Sequence, residues 1–133
     1  MCKLNESILV VDDDQDFLRA VVDALEEAFS VPILTAGDGQ EAIRVFEEKK
    51  PGVILLDMML PKRSGFLVMD IMAKTRKFAG GPPFVVMVTA HTGERQRRYA
   101  ESIGVNEYVT KPVRLGRLVD IVRNYLSQFR KEA

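Results

Sequence analysis

Four places in this chain put a chemically capable residue directly behind a short apolar run. Ser7–Val11 leads into Asp12-Asp13-Asp14, Val53–Leu56 into Asp57, Phe84–Val88 into Thr89, and Glu107–Thr110 into Lys111-Pro112. Carboxylates gathered at one place repel, and each drifts toward protonation unless a cation stands among them. An all-oxygen set with room for water suits Mg²⁺, which keeps several waters and asks for octahedral geometry. Neither Cys2 nor His91 is placed to make a softer site. A magnesium ion beside Asp57 would neutralise incoming phosphoryl oxygens, with Lys111 and the Thr89 hydroxyl sharing the remaining charge. That is the equipment of phosphoryl transfer, which rests on positioning and charge stabilisation and in which a carboxylate can serve as the nucleophile. Each residue alone has an ordinary explanation. Asp14 or Asp16 suits a helix N-cap or first turn, Thr89 a turn, and Lys111 a solvated surface. Their arrival together at one edge of the sheet is what selects the chemistry.

The elements that must hold these residues alternate along the chain. A fifth apolar run, Val31–Leu34, joins the four above and ends in Thr35-Ala36, which adds nothing distinctive. Between the runs lie segments with one apolar face at helical spacing. The first carries Phe17, Leu18, Val21, Val22, Leu25, Ala28 and Phe29, and the last carries Leu115, Leu118, Val119, Val122, Tyr125, Leu126 and Phe129. Gly39–Lys49, Gly65–Lys77 and Glu94–Ile103 are the helices between them. Pro51-Gly52 is expected to stop the second helix, Gly80–Pro83 to form a loop, and Gly104 to end the fourth helix at positive φ. Runs such as Val53-Ile54-Leu55-Leu56 are apolar without alternation, as strands buried on both faces are. The order is βα five times, an α/β fold with a parallel sheet covered by helices. In such sheets ligands bind beyond the carboxyl ends of the strands.

Composition bounds the rest. At 133 residues, 47% apolar and 29% charged, the chain fits a single folded domain and excludes a disordered one. No apolar stretch approaches a membrane span and no signal peptide opens the sequence, so a cytoplasmic protein without membrane contact is expected. The lone cysteine agrees with a reducing compartment. Residues 1–57 hold 13 Asp/Glu against 5 Lys/Arg, and residues 58–133 hold 6 against 14. The net charge of zero gives no case for direct nucleic-acid binding, whose usual footprint is an overall basic domain.

With these residues in place, the chain resembles the receiver domain of bacterial response regulators, the chemotaxis-regulator type. The matching segments are Ile8–Asp14, Val53–Pro61, Gly65, Val88-Thr89-Ala90 and Tyr108–Pro112. The resemblance spans residues 6–128 of a single receiver domain over 1–133. It implies a flavodoxin-like, three-layer α/β/α sandwich with strand order 2-1-3-4-5. Asp57 would be the phospho-acceptor, taking its phosphoryl group from a sensor histidine kinase or a histidine phosphotransfer protein. Asp12, Asp13, Asp57 and the backbone carbonyl of Met59 would hold Mg²⁺. Lys111 would pair with the phosphoryl group, and its bond to Pro112 would be cis. Thr89 and Tyr108 would form the switch, acting on the surface made by the fourth helix, fifth strand and fifth helix. Such a domain is not an enzyme beyond its own phosphoryl transfer and autodephosphorylation.

Arg95, Arg97, Arg98, Arg114, Arg117 and Arg123 make that surface basic, which anticipates an acidic partner or a homodimer with acids across it. Met59 and His91 stand where the family varies the lifetime of its acyl phosphate, and neither orients water as a carboxamide does; slow hydrolysis is expected. Val113 replaces a larger aromatic common after Lys-Pro. Nothing like an output module follows before Ala133, which leaves a stand-alone receiver and a receiver cut from a longer protein equally open. The alternative is a non-phosphorylated pseudo-receiver that acts as an interaction module. A haloacid-dehalogenase-like phosphatase would want a second acid where Met59 stands, and a flavin or nucleotide site would want Gly, Ser or Thr where Asp12–Asp16 stand.

Overall fold

The computed structural model describes residues 5–58, 65–75, 83–90 and 92–132. The elements in chain order are β1 (Asn5–Val11), α1 (Gln15–Ala28), β2 (Ile33–Ala36), α2 (Gly39–Lys49), β3 (Pro51–Leu56), α3 (Gly65–Thr75), β4 (Phe84–Thr89), α4 (Glu94–Ser102), β5 (Glu107–Thr110) and α5 (Leu115–Glu132). The five strands pair in parallel in the order β2-β1-β3-β4-β5.

Strict alternation of side chains along each strand divides the core in two. Leu9, Val11, Ile54, Leu56, Val85 and Met87 face Ala42, Val45 and Phe46 of α2, Val68 and Met69 of α3, and Ala100 of α4. Ile8, Val10, Val53, Leu55, Val86 and Val88 face Leu18, Val21 and Leu25 of α1, and Leu118, Val122 and Leu126 of α5. The unbroken apolar runs Ile8–Val11 in β1, Val53–Leu56 in β3 and Phe84–Val88 in β4 are thus what a sheet covered on both faces requires.

Local signals explain most element boundaries. Asp14 caps α1, its Oδ1 accepting from the N–H groups of Asp16 (3.1 Å) and Phe17 (3.2 Å), so of the two candidate capping acids it is Asp14. Gly104 takes φ 107 just after α4, where only glycine is at ease. One expectation needs correction. β2 begins at Ile33 rather than Val31, because Pro32 has no N–H for the ladder; its carbonyl instead accepts from Ile8 N (3.0 Å), and pairing starts with Ile8 opposite Ile33. α2 does stop ahead of Pro51-Gly52, which also opens β3. The stop is Lys50, in the left-handed region at φ 48, whose N–H returns to Phe46 O (2.9 Å). Residues 76–82, which hold the end of the expected third helix and most of the Gly80–Pro83 loop, lie outside the described residues. No helix among the described residues is long and apolar enough to cross a membrane.

Candidate functional site

Register decides which side chains meet. Val11 lies opposite Leu56, and Leu56 opposite Met87, so Asp12 and Asp57 leave β1 and β3 at the same level. Thr89 lies opposite Thr110, one step further along, and Lys111 follows. A lysine stem reaches back easily over that rise. Lys111 Nζ donates to Asp12 Oδ2 at 2.7 Å and to Asp57 Oδ2 at 3.1 Å. Asp12, Asp13 and Asp57 each bring a carboxylate oxygen to within 4.8 Å of the others. Asp12 and Asp57 are 2% and 6% exposed, whereas Asp13 faces solvent.

Three buried or semi-buried charges in contact perturb one another. Burial pushes the Asp12 carboxyl above its ordinary value, against the pull of Lys111 and of the Asp14 N–H, which donates to Asp12 Oδ1 at 2.9 Å. Burial would lower Lys111, but its hydrogen bonds to Asp12 and Asp57 outweigh that and raise it. The ammonium is therefore a fixed cation. Two buried carboxylates sharing one lysine, with a third acid at the solvent side, keep oxygen lone pairs for a hard divalent cation. The donor set fits Mg²⁺, with no nitrogen or sulfur among the clustered ligands.

Thr89 ends β4 fully buried, its carbonyl accepting from Lys111 N at 2.8 Å. Tyr108, opposite Met87, lies on the same face of the sheet as Thr89, toward α4. Its ring is turned inward, with the hydroxyl donating to Met58 Sδ at 3.6 Å. The Arg97 guanidinium lies 5.4 Å from the centre of that ring, and Nη2 donates to the Tyr108 carbonyl at 3.4 Å. Burial raises the Tyr108 phenol, which Arg97 opposes, so the ring stays neutral. The Lys111-Pro112 bond is cis. Met59 and His91 lie outside the described residues.

The sequence did not mark Met58, which reads as core, nor Phe17, which reads as one residue of an apolar stripe. The Phe17 ring centre is 4.5 Å from Lys111 Nζ. Arg97 was legible as a surface charge but not as the cover of Tyr108.

Gly65 closes the site from below. Its N–H donates to Met58 O at 2.9 Å, and a Cβ there would stand 2.5 Å from both Asp57 O and Met58 Cα. Those are backbone atoms, and no rotamer change relieves them. Gly65→Ala is expected to lower stability by about 1–3 kcal/mol by overpacking, and to displace the segment carrying Asp57. Urea unfolding measures the first, and Mg²⁺ titration by calorimetry the second.

The model of the response regulator receiver domain family matches residues 8–123. The chain belongs to that family. Among curated relatives it is similar to the alkaline phosphatase synthesis transcriptional regulatory protein PhoP of Bacillus subtilis, 33% identical over 109 residues that cover 82% of this chain and 43% of PhoP. Among solved structures it is similar to a CheY-like response regulator receiver domain protein from Methanospirillum hungatei, at 25% identity, full coverage of both chains and a TM-score of 0.81. It is also similar to the BeF3-activated DrrB receiver domain, at 27% identity, TM-score 0.80 and coverage of 96% of this chain and 99% of that one. The fold is thus the flavodoxin-like receiver fold with strand order 2-1-3-4-5. This chain spans half or less of the length of the first curated relatives it matches. Those relatives are named transcriptional regulators, so the expectation of a protein working apart from nucleic acid finds no support in them. Receiver domains are signalling modules rather than conventional enzymes.

Proposed function

We propose that the chain, read over 1–133 as one receiver domain, is a cytoplasmic phospho-acceptor whose acceptor is Asp57. The supporting observation is the cluster itself: three carboxylate ligands within 4.8 Å and one lysine ammonium bridging two of them. An Asp57 carboxylate oxygen forms a bond to phosphorus while the donor's bond to phosphorus breaks. With a phosphohistidine of a sensor kinase or phosphotransfer protein, the P–N electron pair returns to the imidazole, which takes up a proton. With acetyl phosphate, the leaving group is acetate. Asp12, Asp13 and Asp57, with the carbonyl of Met59, would hold Mg²⁺, which when bound supplies charge neutralisation for the phosphoryl oxygens. Lys111 already stands at Asp57 and pairs with the developing charge without a large rearrangement. No acid or lysine of the set is missing, which is why a phosphorylated receiver is preferred to a pseudo-receiver.

Phosphorylation acts on Thr89 and Tyr108. The new dianion draws the Thr89 hydroxyl, and the space Thr89 vacates and the inward ring of Tyr108 form one two-state element. The output surface is α4–β5–α5. Its arginines are partly matched within the chain: Arg98 stands 3.7 Å from Glu94 and Arg123 3.2 Å from Asp120. A groove of about 680 Å³ between β5 and α5, lined by Glu107, Arg114, Arg117, Asp120, Ile121 and Asn124, carries both signs. A downstream protein or a second copy docks there.

Intact-mass measurement after incubation with acetyl phosphate tests the reading. One phosphoryl group gained with Mg²⁺ and none after chelation is expected, with a slow decay. No adduct under either condition leaves the pseudo-receiver.

A further inference from the structure

We propose that Phe17 is a positioning residue for Lys111, its ring face holding the ammonium where the phosphoryl group must be met. This rests on the assignment of Lys111 to phosphoryl stabilisation, and adds to it a residue that neither touches phosphate nor binds metal. Lys111 Nζ lies 4.5 Å from the centre of the Phe17 ring while donating to Asp12 and Asp57. Two sides of the ammonium are thus held by carboxylates and a further side by the negative face of an aromatic ring. A lysine on a flexible stem has many places to put its head; a carboxylate on two sides and a ring on another leave few.

The contact is braced from the other direction. Phe17 sits in the first turn of α1, where its N–H is capped by Asp14 Oδ1 at 3.2 Å. The Asp14 N–H in turn donates to Asp12 Oδ1 at 2.9 Å, and Asp12 Oδ2 accepts from Lys111 at 2.7 Å. Asp12, Asp14, Phe17 and Lys111 therefore close a loop of contacts, so the place of the ring is tied to the acid that the lysine grips. Phe17 is half-buried and also packs at the margin of the core formed with α1 and α5. A leucine fills that role equally well. Only the attraction for the ammonium asks for an aromatic.

This difference supplies the test. Phe17→Leu keeps an apolar side chain and loses the ring face; Phe17→Tyr keeps the face. The rate of phosphoryl uptake from acetyl phosphate with saturating Mg²⁺ is expected to fall about three- to tenfold in Phe17→Leu and to stay near wild type in Phe17→Tyr. Mg²⁺ affinity by calorimetry is expected to be unchanged in both. In a Lys111→Met background, followed over longer times, Phe17→Leu is expected to add no further loss, since the two residues act as one unit. Uptake by Phe17→Leu at the wild-type rate overturns the inference while leaving the function of Asp57 intact. So does an equal loss in Phe17→Tyr, or a loss that persists without Lys111, since either marks Phe17 as packing alone. A wild-type protein that takes no phosphoryl group removes the reading beneath it.

Discussion

Asp57→Asn is expected to abolish phosphoryl uptake from acetyl phosphate, by a factor on the order of 10⁴ or more, with the fold retained. The amide has nearly the shape of the carboxylate but no anionic oxygen to attack phosphorus. The site tolerates the change because Lys111 keeps its shorter bond, 2.7 Å to Asp12, and Asp12 is relieved of a neighbouring negative charge that pushes its carboxyl up. Mg²⁺ binding is expected to weaken as well, since one of three clustered carboxylates is lost. Circular dichroism separates the chemical loss from misfolding. An adduct of wild-type yield in this variant would place the acceptor elsewhere.

Lys111→Met carries the second large effect, on activity and stability together. A single donor to transition-state charge is worth about 10²–10³ in rate when removed, and uptake is expected to fall by that order. The metal-free fold is expected to lose about 1–3 kcal/mol near neutral pH, because two nearly buried carboxylates are left without the cation they share. The sign with pH follows from Asp12. Its carboxyl is already above its ordinary value of 3.8, and Lys111 is what restrains it, so the variant raises it further. A carboxyl raised in the folded state favours the protonated fold; its contribution is whole below about pH 4 and is lost as pH rises through the window up to the raised value. Metal-free Lys111→Met is therefore expected to regain stability on mild acidification relative to wild type, and to regain it at neutral pH on adding Mg²⁺. Urea melts across pH, with and without Mg²⁺, measure both. A pH-independent deficit would mean that the stem of Lys111, not its charge, supports the fold.

Much of this was legible in the one-dimensional pattern because a buried parallel sheet imposes a strict grammar. Runs such as Val53–Leu56 can be uninterrupted only if both faces are covered, and the residue behind each run then falls on one sheet edge. Asp12, Asp57, Thr89 and Lys111 were found this way, and the structure does bring Asp12, Asp57 and Lys111 into contact. What escaped depends on three dimensions. Pro32 inside an apolar run moved β2 by two residues, since hydrogen bonding rather than hydropathy decides where a ladder starts. Lys50 in the left-handed region has no sequence signal, lysine being rare there. Phe17 and Met58 look like core because their apolar periodicity is real; that Phe17 also meets the ammonium of Lys111 is a contact between the first turn of α1 and the residue behind β5, far apart in sequence. Arg97 is counted with the surface charges until the structure shows Tyr108 beneath it.

The most direct test of the acceptor is chemical trapping. Wild-type protein is phosphorylated with acetyl phosphate and Mg²⁺, reduced with borohydride, which converts an aspartyl phosphate to homoserine, and mapped by peptide mass spectrometry. Homoserine at position 57, absent when Mg²⁺ is chelated, is the result expected. Homoserine at Asp12 or Asp13 instead, or none at any aspartate despite a phosphoryl adduct in the intact mass, would contradict the assignment of Asp57.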